Sequence, residues 1–141
     1  MFKDILLALD LNALDEDKGA IGFVKDHIGS HGDATVHAVT VVPDFQMSIV
    51  GSFFPADFEK KALDEAQGRL HAATDEAFGK GKAQCIIAHG NIYKEILRVT
   101  DDIKADLIVM GSGTHDVGDY LLGTNAARVV RHAKTSVLVV R

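Results

Sequence analysis

Five short, nearly unbroken apolar runs punctuate the chain: Ile5 to Leu9, Val36 to Val42, Cys85 to Ala88, Leu107 to Met110 and Val137 to Val140. Continuous rather than alternating apolar runs point to strands buried on both faces of a sheet. Between them, apolar residues recur at helical spacing. Asn12 is placed to cap a first helix, with Asp15 in its first turn and Ala20, Ile21, Val24 and Ile28 facing inward. A second helix starts near Asp57 and carries the stripe Ala62, Ala66, Leu70, Ala73 and Ala77. Asn91 can cap a third, whose apolar face is Tyr93, Ile96, Leu97, Thr100 and Ile103. A fourth runs from about Gly123 to Ala133, with Ala126, Ala127, Val129 and Val130 available for packing. Five strands separated by four helices predict an α/β fold: a doubly wound parallel sheet with helices on both faces.

In such a sheet, ligands bind beyond the carboxyl ends of the strands, where the strand order reverses. The first strand ends at Asp10 and the fourth at Gly111. The fourth strand then enters a loop with Gly111, Gly113 and Gly123, followed by Thr124 and Asn125 at a helix start. Small residues let backbone approach a phosphate, and the N–H groups of a helix's first turn point at it. On this reading Gly123→Val blocks the phosphates and leaves the fold soluble. Each residue also fits a plainer role: Asp10 as a cap of the turn into the first helix, Gly123 as a loop-to-helix glycine, Thr124 or Asn125 as an N-cap. The segment from Pro43 to Pro55 is too apolar for a solvated loop, and reads as a flap over its own domain, a lid or a subunit contact.

Composition narrows the class. A chain of 141 residues, 47% hydrophobic, fits one domain, residues 1–141. No apolar run approaches the ~18 residues of a membrane span. The apolar start is short, is interrupted by Asp4 and has no cleavage site after it, so it reads as a strand and the protein as cytoplasmic. A net charge of −5 argues against nucleic-acid binding. Cys85 is the single cysteine and reads as a structural thiol. His27 and His31 stand four apart, but Gly29 is expected to end the helix between them, which argues against a metal there. No lysine sits in the glycine loop, so a P-loop NTPase is excluded, and no nucleophile elbow is present. His115 lies in the loop without a partner suited to orienting an attacking water. A phosphorelay receiver would need an acidic pair after the first strand and an aspartate ending the third; here stand Asp10-Leu11 and His89-Gly90.

Five stretches together carry a family resemblance: Ile5-Leu-Leu-Ala-Leu-Asp, Val39-Thr-Val-Val-Pro, Gly90-Asn-Ile-Tyr-Lys-Glu-Ile-Leu, Ala105-Asp-Leu-Ile-Val-Met-Gly and the closing Leu121-Leu-Gly-Thr-Asn-Ala-Ala-Arg-Val-Val-Arg-His-Ala-Lys-Thr-Ser-Val-Leu-Val-Val-Arg. The chain resembles the universal stress protein family over essentially its whole length, most closely the F/G-type bacterial members. The resemblance implies the strand order 3-2-1-4-5, with Asp10 beside the glycine loop. It also implies the nucleotide site of the ATP-binding members, whose motif is Gly, two residues, Gly, nine residues, Gly, then Ser or Thr. Gly113 to Gly123 keeps the nine-residue gap and Thr124 follows, but only Ser112 separates Gly111 from Gly113. Many members have proline where this chain has Ala8.

Carried over residue by residue, the resemblance implies that Asp10 accepts hydrogen bonds from the adenosine and that Val41 lines the adenine pocket. Met110 and Gly111 would flank the ribose, and Gly90 would approach the sugar or phosphates. Ser112, Gly113, Gly123, Thr124 and Asn125 would surround the phosphates. The implied ligand is ATP, with or without Mg2+; Asp116 and Asp119 read as solvated loop carboxylates rather than metal ligands. Arg128 and Arg131 read as a solvated face or subunit contacts rather than a phosphate clamp. The expectation is a nucleotide-dependent stress sensor or scaffold with at most slow ATP hydrolysis. It forms a homodimer or a dimer of dimers through the edge strand 135–141, with no nucleic-acid or membrane partner. The alternative is a dimer of the same type that binds no nucleotide and works through protein contacts.

Overall fold

The computed structural model describes residues 2–43, 57–113 and 122–141. The apolar 43–55 segment beyond Pro43, together with His115, Asp116 and Asp119, lies outside them. Five strands, β1 (Asp4–Ala8), β2 (Thr35–Val42), β3 (Ala83–His89), β4 (Leu107–Gly111) and β5 (Ser136–Val140), form one parallel sheet in the order β3-β2-β1-β4-β5. This is the order expected from the family resemblance. Helices α1 (Lys18–Ser30), α2 (Phe58–Phe78), α3 (Ile92–Ile103) and α4 (Thr124–His132) complete the alternation.

β1 lies at the centre, and its alternate side chains feed two cores. Ile5, Leu7 and Leu9 pack with Ala20 and Val24 of α1 and with Ala66 and Leu70 of α2. Leu6 and Ala8 face the other way, against Ile96 and Val99 of α3 and Ala126 and Val129 of α4. Both faces of the sheet are therefore covered, which explains the unbroken apolar runs.

Local capping differs from expectation in the first helix. A 3-10 turn at Leu14–Asp17 precedes α1, and Asn12 caps neither element. The Asn12 amide instead donates to Asp10 Oδ1 at 2.9 Å, a turn closed by the aspartate side chain. α1 also runs through Gly29, because the helix bond from His31 N to His27 O, 2.8 Å, still forms. His27 and His31 thus share one helix face, their rings stacked at 4.5 Å. In α2, Thr74 is buried in place of Ala73 and Ala77; its hydroxyl donates to His71 O at 3.1 Å and lies 3.3 Å from Cys85 Sγ.

α3 is capped as its sequence suggests: Asn91 Oδ1 accepts the Lys94 amide at 3.3 Å. Asn91→Ala removes that acceptor from the helix's first turn. The expected outcome is a loss of about 1 kcal/mol, read as a lower midpoint in urea unfolding with an unchanged slope. α4 starts at Thr124 with Gly123 in the capping position, so neither Thr124 nor Asn125 is the N-cap.

Candidate functional site

The carboxyl ends of β1, β2 and β4 open into a cleft of about 310 Å³. It lies where the strand order reverses, β1 having β2 on one side and β4 on the other. Ala8, Val39, Ile96, Met110 and Ala126 give it an apolar floor. Eight residues singled out from sequence line it: Asp10, Val41, Met110, Gly111, Gly113, Gly123, Thr124 and Asn125. Gly90 and Ser112 are not among its lining residues. Gly90 instead turns the chain from β3 to α3 at φ 134°, its amide bonded to Val42 O at 2.9 Å.

Two rims face each other across the floor. On one, the turn after β1 presents Asp10, which is exposed. Arg69 of α2 ties this turn down, Nη2 donating to Leu11 O at 2.6 Å and Nη1 reaching Asn12 Oδ1 at 3.5 Å. Asp10 therefore does close a turn, as its plainer role required, yet its Oδ2 makes no hydrogen bond among the described residues. On the other rim, the first-turn N–H groups of Thr124, Asn125 and Ala126 have no acceptor within α4. The helix dipole adds positive potential there.

Part of the backbone around the glycine loop is engaged by the protein itself. Ser112 N donates to Val140 O at 3.1 Å, and Gly123 N donates to Ser112 O at 2.7 Å. These bonds staple the loop to β5 and to the start of α4 and occupy two of its amides, whereas the first-turn amides of α4 have no acceptor within the helix. The glycines have a similar explanation. A Cβ on Gly123 would stand 2.8 Å from Gly113 O and 3.0 Å from Ser112 O. A Cβ on Gly111 would stand 2.7 Å from Asp17 Oδ1 and 3.1 Å from Glu16 O. Both glycines make room for the protein's own atoms. Gly123→Val, expected to block the phosphates and leave the fold soluble, therefore also presses on the loop backbone.

Asp17 is the functional-looking residue that sequence reasoning missed. It lines the cleft at the end of the 3-10 turn, only 6% exposed. Its Oδ2 accepts the Asp10 amide at 2.8 Å. Burial pushes its pKa up to about 6; the Asp10 amide opposes the rise, and the Asp10 charge adds to it. Glu16 lines the same cleft, and no lysine, arginine or histidine does among the described residues. The site is thus polarised: carboxylates on the β1 rim, amide hydrogens on the α4 rim. Such an arrangement suits a ligand with donor groups at one end, an apolar body and an anionic tail.

The family model for universal stress proteins matches residues 1–141. The chain belongs to the universal stress protein family. Among curated members it is 35% identical over 144 residues to the universal stress protein in the QAH/OAS sulfhydrylase 3′ region of Thermus aquaticus, with all of both chains covered. It is 28% identical over 145 residues to universal stress protein G of Escherichia coli O157:H7, again with both chains fully covered. Among solved structures, that of universal stress protein MJ0577 from Methanocaldococcus jannaschii superposes with a TM-score of 0.78 at 26% identity, over 99% of this chain and 96% of the other. The universal stress protein of Archaeoglobus fulgidus, solved in complex with dAMP, shares the fold at a TM-score of 0.67 and 19% identity, over 99% and 98% of the two chains.

Proposed function

We propose that this universal stress protein binds an adenine nucleotide in the cleft between β1, β2 and β4, with ATP, alone or as its Mg2+ complex, as the working ligand. The observation that carries the reading is the opposition of the Asp10 rim to the first turn of α4 across an apolar floor. The base lies against Val41 and Met110, the ribose hydroxyls donate to Asp10, and the phosphates take the amides of Thr124 and Asn125 beside Gly113. Anionic oxygens accept stronger hydrogen bonds than neutral ones, and the helix terminus adds about 0.3–1 kcal/mol per favourable contact. The dAMP held by the Archaeoglobus fulgidus protein is an adenine nucleotide on the same fold. Gly90 and Ser112 act at second hand in this reading, Ser112 by fixing Gly123 through its carbonyl.

The protein would be a binding module of the cytoplasm, a nucleotide-dependent sensor or scaffold with at most slow hydrolysis. β5 is an edge of the sheet, with Val137 to Val140 half-buried, and gives residues 135–141 the character of a dimer contact. One observation favours the second reading, a nucleotide-free dimer: three carboxylates and no cationic side chain line the cleft among the described residues. Denaturing the purified protein and identifying any released nucleotide by chromatography and mass separates the two. Adenine nucleotide in the supernatant, or a melting temperature raised by added ATP, is the expected result. Neither appearing, with ATP at millimolar concentration, sinks the nucleotide reading.

A further inference from the structure

Asp17 occupies an unusual position for an ionisable group. It is more than nine-tenths buried, yet it belongs to the wall of the open cleft. One oxygen, Oδ2, is held by the Asp10 amide. The other, Oδ1, fills the notch left by the missing side chain of Gly111 and has no hydrogen-bond donor among the described residues. That leaves the solvent of the open cleft to hydrate Oδ1, and a ligand that displaces this water makes the anion costly to keep there, whereas a neutral carboxyl is not.

Among the described residues that line the cleft with it, none supplies a counter-ion. From the end of β1 comes Asp10, also an acid. Its own segment carries Asp15, Glu16 and Lys18, and the Lys18 ammonium is engaged 3.2 Å from Asp15. β4 contributes Met110 and Gly111, and α4 contributes Thr124 and Asn125, none of them charged. Arg141, after β5, passes by Gly19 with its carbonyl 3.6 Å from that residue's Cβ position.

Resting on the nucleotide reading above, we propose that the cleft takes up its anionic ligand together with one proton, and that Asp17 Oδ1 is the atom that receives it. The proton comes from solvent and adds to the carboxylate; no bond of the nucleotide is made or broken. A polyanion entering an apolar-floored cleft raises the cost of the Asp17 charge further, through repulsion in a medium of reduced dielectric. The neutral acid removes that repulsion. Asp17 is thereby a residue that tunes affinity to pH near neutrality, by acting on ligand charge rather than on the fold. Burial already raises its pKa from the ordinary aspartate value to about 6.

Linkage gives the sign. Affinity is full where Asp17 is protonated in the free protein and weakens as pH rises through its titration, by about tenfold per pH unit when the bound state must be neutral. The test is isothermal titration of ATP into the wild type and into Asp17→Asn at pH 5.5, 6.5 and 7.5. Each titration is run in two buffers of different ionisation enthalpy, so that proton uptake is counted. ATP's own phosphate titrates identically in both experiments, and the comparison isolates residue 17. The wild type should lose roughly tenfold or more in affinity, relative to the variant, between pH 5.5 and 7.5, and take up close to one extra proton at pH 7.5. Identical pH profiles and proton counts overturn the proposal while leaving nucleotide binding intact. ATP failing to bind the wild type at any pH overturns both. Should the asparagine variant not fold, carbon-13 carboxyl resonances of the wild type decide it: the Asp17 titration must move upward on adding ATP, and a titration that stays in place refutes proton coupling.

Discussion

Gly123→Val is expected to abolish ATP binding and to lower the melting temperature by roughly 5–10 °C, the equivalent of about 2–3 kcal/mol of overpacking at this chain length. The cause is backbone against side chain. Even the first added carbon would stand 2.8 Å from Gly113 O, 3.0 Å from Ser112 O and 3.1 Å from Gly113 C. None of these belongs to a flexible side chain that could swing away. Relief requires the 112–113 loop to part from the start of α4, which breaks the 2.7 Å bond from Gly123 N to Ser112 O. The rim that presents Thr124 and Asn125 then shifts with it. Gly113→Ala supplies the contrast: its Cβ would meet only Gly123 Cα, at 3.7 Å, but φ is 72°. That substitution pays a conformational penalty of about 1–2 kcal/mol without a collision. Calorimetry and equilibrium dialysis on both variants check the order. A Gly123→Val protein with wild-type melting and undiminished ATP affinity would show that the loop does not lie against this residue.

Asp17→Asn is expected to stabilise the ligand-free protein at neutral pH and to leave it unchanged in acid. Burial raises the folded-state pKa of Asp17 from an ordinary 3.8 to about 6, a difference that corresponds to about 3 kcal/mol against folding once the group is fully ionised. Between those two values the native protein binds the proton more tightly than the unfolded chain. Stability therefore falls as pH rises from about 4 to about 6 and is level beyond it. Asparagine keeps the shape, and its carbonyl oxygen can accept the Asp10 amide that Oδ2 accepts now. It carries no charge into the Gly111 notch. The wild type should trail the variant by about 2–3 kcal/mol at pH 7.5 and match it near pH 4. Urea unfolding at the two pH values measures the gap; an equal gap at both, or none at pH 7.5, would contradict a charge that is penalised in the native state alone.

The sheet was legible because the message is carried by many residues at once. The run Ile5 to Leu9 and the run Leu107 to Met110 read as strands buried on both faces, and the family resemblance supplied the order in which they pair. Positions on the cleft followed from strand ends: Asp10 and Gly111 face the same opening because β1 and β4 are neighbours. Asp17 was not legible. In the run Asp15-Glu16-Asp17 it looks like any acidic residue near a helix start, and its burial is a tertiary fact. The signal existed, but as a pair of distant letters: the space missing at Gly111 is the space Asp17 fills. Gly29 misled for a related reason, since a glycine near a helix end is compatible with continuation when the bond from His31 to His27 can still form. Asn12 misled because Asp10 captures its amide first.

The central seat of β1 has a consequence for how the chain is made. Its hydrogen-bonding partner on one side, β2, is synthesised almost at once, while its partner on the other, β4, begins at Leu107. A nascent polypeptide that has emerged only as far as α3 therefore holds Leu6 and Leu7 in a ribbon with one open side. The non-local pairing makes closure late in translation, and the half-built sheet keeps an apolar edge open until the last quarter of the chain arrives.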